Sequence, residues 1–144
     1  MTWLAKLPLL LHAVIETAAS LSFILVPHKQ LPLPPSATSS SSAEARLLLR
    51  SYGGLLLSTN LLCFVFFFSP PDLNYASGLV SLCIASYHPF PVYRAYARIQ
   101  HNIGMSSSSP SQKSFLGGPA LHLVVHLILF VGLLASGYTL LNSS

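Results

Sequence analysis

Residues 118–141 read GPALHLVVHLILFVGLLASGYTLL, an apolar stretch without a single Asp, Glu, Lys or Arg, opened by a Gly-Pro pair. A helix needs roughly 20 such residues to cross about 30 Å of hydrocarbon at about 1.5 Å per residue. Three further runs meet the same length: 7–26, 46–68, and 75 to about 93. Breakers bound them, with Pro27 after the first, Pro70 and Pro71 after the second, and Gly117, Gly118 and Pro119 before the last. The pattern predicts an all-α fold, a four-helix transmembrane up-and-down bundle, forming a single transmembrane domain over residues 1–144.

Composition points the same way. The chain is 52% hydrophobic and only 7% charged, whereas an ordinary soluble domain carries roughly a quarter charged residues. Its only acids are Glu16, Glu44 and Asp72. A water-soluble particle with so few charges would be left with large bare apolar patches, and a lipid solvent removes that difficulty. The net charge of +4 does not read as a nucleic-acid surface, because the basic residues are scattered at helix ends rather than gathered on one face. Cys63 and Cys83 both fall inside apolar runs, where a thiol behaves as a small hydrophobe.

The third run carries its own complication. Pro89 and Pro91 remove two backbone donors, so that helix is expected to kink or end near its last turns. Ending at Tyr87 would leave about 13 residues, extendable through Tyr93, Arg94, Tyr96 and Arg98. Two Ser/Pro-rich stretches, 27–43 and 100–116, hold too little apolar surface to offset ordering entropy and are expected to be disordered loops.

Basic residues set the expected orientation. Lys29, Arg46 and Arg50 flank the first long loop, Arg94, Arg98 and Lys113 the second, while the termini and the middle turn hold only Lys6. The positive-inside rule then puts both serine loops in the cytosol and both termini in the lumen or outside. The run after Lys6 is too long for a signal-peptide core and stays apolar past its small residues, so it reads as a retained span. The endomembrane system, the endoplasmic reticulum or a related membrane, is the expected home. Trp3, Tyr75, Tyr93, Tyr96 and Tyr138 fall near span ends, as an aromatic belt requires.

Ionisable groups within hydrocarbon are the candidates for chemistry. Glu16 lies near the middle of the first span with His12 one turn earlier, and carboxyl and imidazole on one face can exchange a proton. The plainer role is helix-to-helix glue. His122 and His126, again one turn apart, share a depth with His88, so these three form a conceivable metal set. Interhelical hydrogen bonds are the alternative. Asn60 has a depth comparable with Glu16 and is its expected partner. Gly53, Gly54 and Ser58 offer a strip for close helix approach, with Gly132 and Ser136 a second strip on the last span. No phosphate loop, nucleophile elbow or nucleotide fingerprint occurs, and no cofactor is implied.

The segment Ala45-Arg46-Leu47-Leu48-Leu49-Arg50-Ser51-Tyr52-Gly53-Gly54-Leu55-Leu56, with a first span ending before a proline and a histidine-bearing last span, resembles small uncharacterised four-helix integral membrane proteins of fungal type. More loosely it is similar to DoxX-like bundles. The resemblance implies an up-and-down bundle. The residues favour a non-catalytic membrane module that binds a lipid or a partner helix. Two other classes stay open: a membrane-embedded enzyme doing proton transfer or redox chemistry on a lipid through Glu16, His12 and His126, and a subunit of an oligomeric transporter.

Overall fold

The computed structural model describes residues 2–30, 39–100 and 118–143, and among them every regular element is helical. Five α-helices follow in order: α1 Thr2–Leu25, α2 Ser39–Phe67, α3 Asn74–Ala85, α4 Pro89–Gln100 and α5 Pro119–Leu141, with short 3-10 turns at Pro27–Lys29 and Pro71–Leu73. The all-α class and its up-and-down helices are those the sequence predicts. Within α1, α2 and α5 lie three segments, Trp3–Leu25, Ser42–Phe67 and Pro119–Leu141, long and apolar enough to cross a membrane.

The prolines mark the boundaries. Pro119 opens α5 after an extended Gly118, at the one helical position where a missing N–H costs nothing. Pro27 and Pro71 likewise open the two 3-10 turns. Of the two outcomes expected in the third run, a kink or an end before Pro89 and Pro91, the helix ends, two residues short of Tyr87. The helix stops at Ala85 and restarts at Pro89. A proline ring clashes with the carbonyl four residues earlier, and for Pro89 that residue is Ala85. The Ala85 carbonyl instead accepts the His88 N–H at 3.0 Å, inside a turn over 86–88.

A second correction concerns the serine stretches. Ser39–Ala43, expected to be disordered, forms the first turn of α2. Serine is at home at helix starts, and Arg46 donates to Ser42 one turn back at 3.5 Å. The rest of the first loop beyond Gln30, and the second loop with Ser106–Ser109 and Lys113, lie outside the described residues.

Contacts gather into two units, residues 10–65 and residues 1–9 with 66–144. In the first, α1 and α2 pair antiparallel, because Ser20 meets Gly53 while Thr17 meets Asn60. In the second, α3 and α4 both run antiparallel to α5: Ser81 meets Ser136 and His88 meets His126. Together α3 and α4 trace one broken helix along the length of α5.

The burial pattern is inverted relative to a soluble protein. Leu11, Val14, Leu47, Leu48, Leu55, Leu61, Val65, Val124, Ile128 and Val131 are exposed, while Ser20, Asn60, Ser77, Ser81, His88, His126 and Ser136 are buried. Polar groups turn inward and apolar ones outward where the surrounding solvent is hydrocarbon. With three helices of spanning length, the chain is an integral membrane protein.

Candidate functional site

The described polar side chains concentrate in the unit built from α3, α4 and α5. Its centre is a chain of three imidazoles. His126 Nδ1 lies 2.9 Å from His88 Nδ1, and His126 Nε2 lies 3.0 Å from His122 Nε2. His122 and His126 are brought together by one turn of α5. His88 reaches them because the break after Ala85 ends the α3 screw and puts it in the connecting turn. Tyr87 braces the pair, its ring 5.3 Å from His88 and 6.3 Å from His126. Burial rises along the chain: His122 is half-buried, His126 is 2% exposed and His88 is 0% exposed.

The three histidines singled out as a metal set are therefore adjacent, but arranged in a row. Two imidazole nitrogens sharing a tetrahedral ion stand about 3.3 Å apart, and each ring gives one nitrogen to the common centre. Here the central ring spends its two nitrogens on two different partners, at hydrogen-bond distances. Arg94 and Arg98 of α4 lie within electrostatic reach of His122.

A second polar run occupies the other end of the same unit, and the sequence reading missed it. Lys6 donates to the Ser69 carbonyl at 2.8 Å and hydroxyl at 2.9 Å. Ser69 Oγ lies 3.1 Å from Ser77 Oγ, Ser81 donates to the Ser77 carbonyl, and Ser81 Oγ lies 3.1 Å from Ser136 Oγ. Serines repeating at four-residue spacing, Ser77 and Ser81, were the available signal. Between this run and the histidines stand buried Ile84, Ala85, Leu129 and Leu133, an apolar stretch of about 10 Å along α3 by helix rise.

Between α4 and α5 runs a groove of about 360 Å³ lined by Pro89, Val92, Tyr93, Tyr96, Leu123, Leu127 and Phe130. The α4 positions recur at three and four residues, one face of a helix, and Arg94 and Arg98 rise from another face of the same helix.

In the unit of residues 10–65, Glu16 and His12 are buried one turn apart on α1. Asn60 is buried too, but it bonds Thr17 rather than the expected Glu16: Asn60 Nδ2 donates to Thr17 Oγ1 at 3.2 Å, and Asn60 Oδ1 has no hydrogen-bond partner. Thr17 stands next along α1, about 100° further round the helix. Of the expected small-residue strip only Gly53 lies at a crossing. A Cβ there would stand 2.9 Å from the Ser20 carbonyl oxygen, and at the same crossing the Ser20 hydroxyl donates to the Gly53 carbonyl at 2.7 Å. A Cβ at Gly54 would meet nothing within 4 Å, and Ser58 is exposed. The packing face of α2 is Gly53, Leu56, Asn60 and Cys63, all buried, and Gly54 with Ser58 falls on the neighbouring face.

On α5, Ser136 sits at the α3 crossing as expected, while Gly132 meets Pro8 at an ordinary 3.6 Å. The tightest approach falls elsewhere, between Gly137 and Gly78: a Cβ on Gly137 would lie 2.6 Å from Leu82 and 3.1 Å from the Gly78 carbonyl oxygen.

No family model, no curated protein and no solved structure matches the chain.

Proposed function

We propose that the chain is a multi-pass membrane module that holds a phospholipid, with one acyl chain in the groove between α4 and α5. The observation that carries this is the groove itself. Its lining is wholly side chains of apolar or aromatic type, its volume of about 360 Å³ falls in the range of small-ligand sites, and the helix that forms one wall also carries two arginines, Arg94 and Arg98. Tyrosines favour the headgroup level, and arginine forks match phosphate oxygens.

In this reading α3 and α4 together make the fourth crossing. Alone α3 spans only about 18 Å, too short for the hydrocarbon, but continuation through the break as far as Tyr93 brings it near 30 Å. Both loops that follow the basic residues then face the cytosol and both termini the lumen, in an endomembrane setting, with Arg94 and Arg98 at the cytosolic headgroups. The interrupted polar path along α3 speaks against a transport pore.

The test is native mass spectrometry of the full chain released from lipid nanodiscs. Wild-type protein retains a phospholipid, Leu127→Trp, which fills the groove, loses it, and Arg94→Ala with Arg98→Ala weakens preference for anionic headgroups. Equal lipid retention by wild type and Leu127→Trp would remove the groove from the account.

A further inference from the structure

The two contacts of the histidine row differ in shape. A straight hydrogen bond between two imidazoles sets their ring centroids about 2.3 Å further apart than their nitrogens. His88 and His126 have that form, with nitrogens at 2.9 Å and centroids at 5.1 Å. His126 and His122 depart from it: their Nε2 atoms stand 3.0 Å apart but their centroids only 4.4 Å, with the ring planes inclined at 72°. That is the spacing of two rings aimed at one ion, since bonds of about 2.0 Å meeting at a right angle place nitrogens about 2.9 Å and centroids about 4.5 Å apart.

We propose that His122 and His126 chelate a copper(II) ion through their two Nε2 atoms, while His88 holds the outer nitrogen of His126. The row that cannot gather three ligands on one centre thus supplies two ligands and a support. With the ion bound, the His126 ring proton lies on Nδ1 and is donated to His88 Nδ1 at 2.9 Å. Such an outer hydrogen bond fixes the tautomer and orientation of a ligating histidine, and the Tyr87 ring against both His88 and His126 adds to the bracing.

The geometry and the charge both select the metal. A tetrahedral ion would need nitrogens about 3.3 Å apart, whereas a right angle belongs to tetragonal copper(II) or nickel(II), of which copper binds more tightly. Tight binding is required, because Arg94 and Arg98 lie within electrostatic reach of His122 and oppose a further positive charge. His122 is half-buried in the first turns of α5, which gives the ion a way in and leaves its other positions to water or an anion. An open coordination sphere is that of an exchangeable ion rather than a structural one. Both rings bind as neutral imidazoles: the Nε2 proton of His122 moves to Nδ1 of the same ring, and no electron is transferred.

The experiment uses untagged full-length protein with Cys63→Ser and Cys83→Ser, which removes thiols that would reduce the metal. In phosphatidylcholine nanodiscs it is titrated with copper(II) glycinate and followed by continuous-wave and pulsed electron paramagnetic resonance, with helicity checked by circular dichroism. One copper per chain above empty nanodiscs, tetragonal and carrying two imidazoles, is expected. His122→Ala and His122→Phe, two replacements at a half-buried position, lose the two-imidazole signature. His88→Leu keeps both imidazoles while the affinity falls about 10- to 100-fold, as for other outer partners of metal ligands. Wild type that takes up no copper beyond empty nanodiscs would overturn the site, as would a two-imidazole signal surviving in either folded His122 variant. Loss of an imidazole from the spectrum of folded His88→Leu would overturn it as well.

Discussion

Asn60 and His126 are both polar side chains buried in otherwise apolar helices, 0% and 2% exposed, yet their surroundings differ. Asn60, in the α1–α2 pair, makes one bond to Thr17 and leaves its carbonyl oxygen unanswered. His126, among α3, α4 and α5, stands in the middle of a bonded row. In the α1–α2 pair Gly53 packs against the backbone of Ser20, and Phe23 lies against Tyr52 at 5.5 Å. The other unit spends its polar groups on connected paths, serines at one end and histidines at the other. Association of helices in lipid needs only the first kind of design. The second kind goes beyond what packing requires, so the search for chemistry belongs around α5.

That contrast can be broken by substitution. His126→Leu should have the largest effect, because it leaves the facing nitrogens of His88 and His122 without their shared ring; a loss of about 2–3 kcal/mol is expected in reversible unfolding from nanodiscs. Gly53→Ala comes next. Its methyl would press on the Ser20 carbonyl, which cannot swing aside as a side-chain end can, and about 1–3 kcal/mol should be lost. The neighbouring Gly54→Ala meets nothing and should stay within about 0.5 kcal/mol of wild type in the same assay. Asn60→Leu should change stability by less than about 1 kcal/mol, since one interhelical hydrogen bond in lipid is worth little and the substitution removes an orphaned oxygen. A large loss for Asn60→Leu beside a small one for His126→Leu would reverse the comparison.

The helices were legible from the sequence because hydrocarbon imposes a length and a composition, and prolines announce the ends. Helix spacing also placed His122 with His126, and Glu16 with His12, on common faces. Two kinds of feature escaped. The break at Ala85 was expected later because the proline's clash acts a full turn upstream of the residue that causes it. The packing glycines were misassigned because Gly53 and Gly54 are neighbours in sequence but point about 100° apart, and only the partner helix decides which one it needs. The Gly78–Gly137 crossing and the bond from Lys6 to Ser69 join residues distant in sequence, and no local pattern pairs them.

That α3 and α4 together cross the membrane once, as one broken helix, is tested most directly by accessibility. In a background carrying Cys63→Ser and Cys83→Ser, single cysteines at Lys29, Asp72, Gln100 and Asn142, all exposed, are labelled with a membrane-impermeant thiol reagent in sealed vesicles. Four crossings put Lys29→Cys and Gln100→Cys on one side and Asp72→Cys and Asn142→Cys on the other. Labelling of Asp72→Cys and Gln100→Cys from the same side would contradict it.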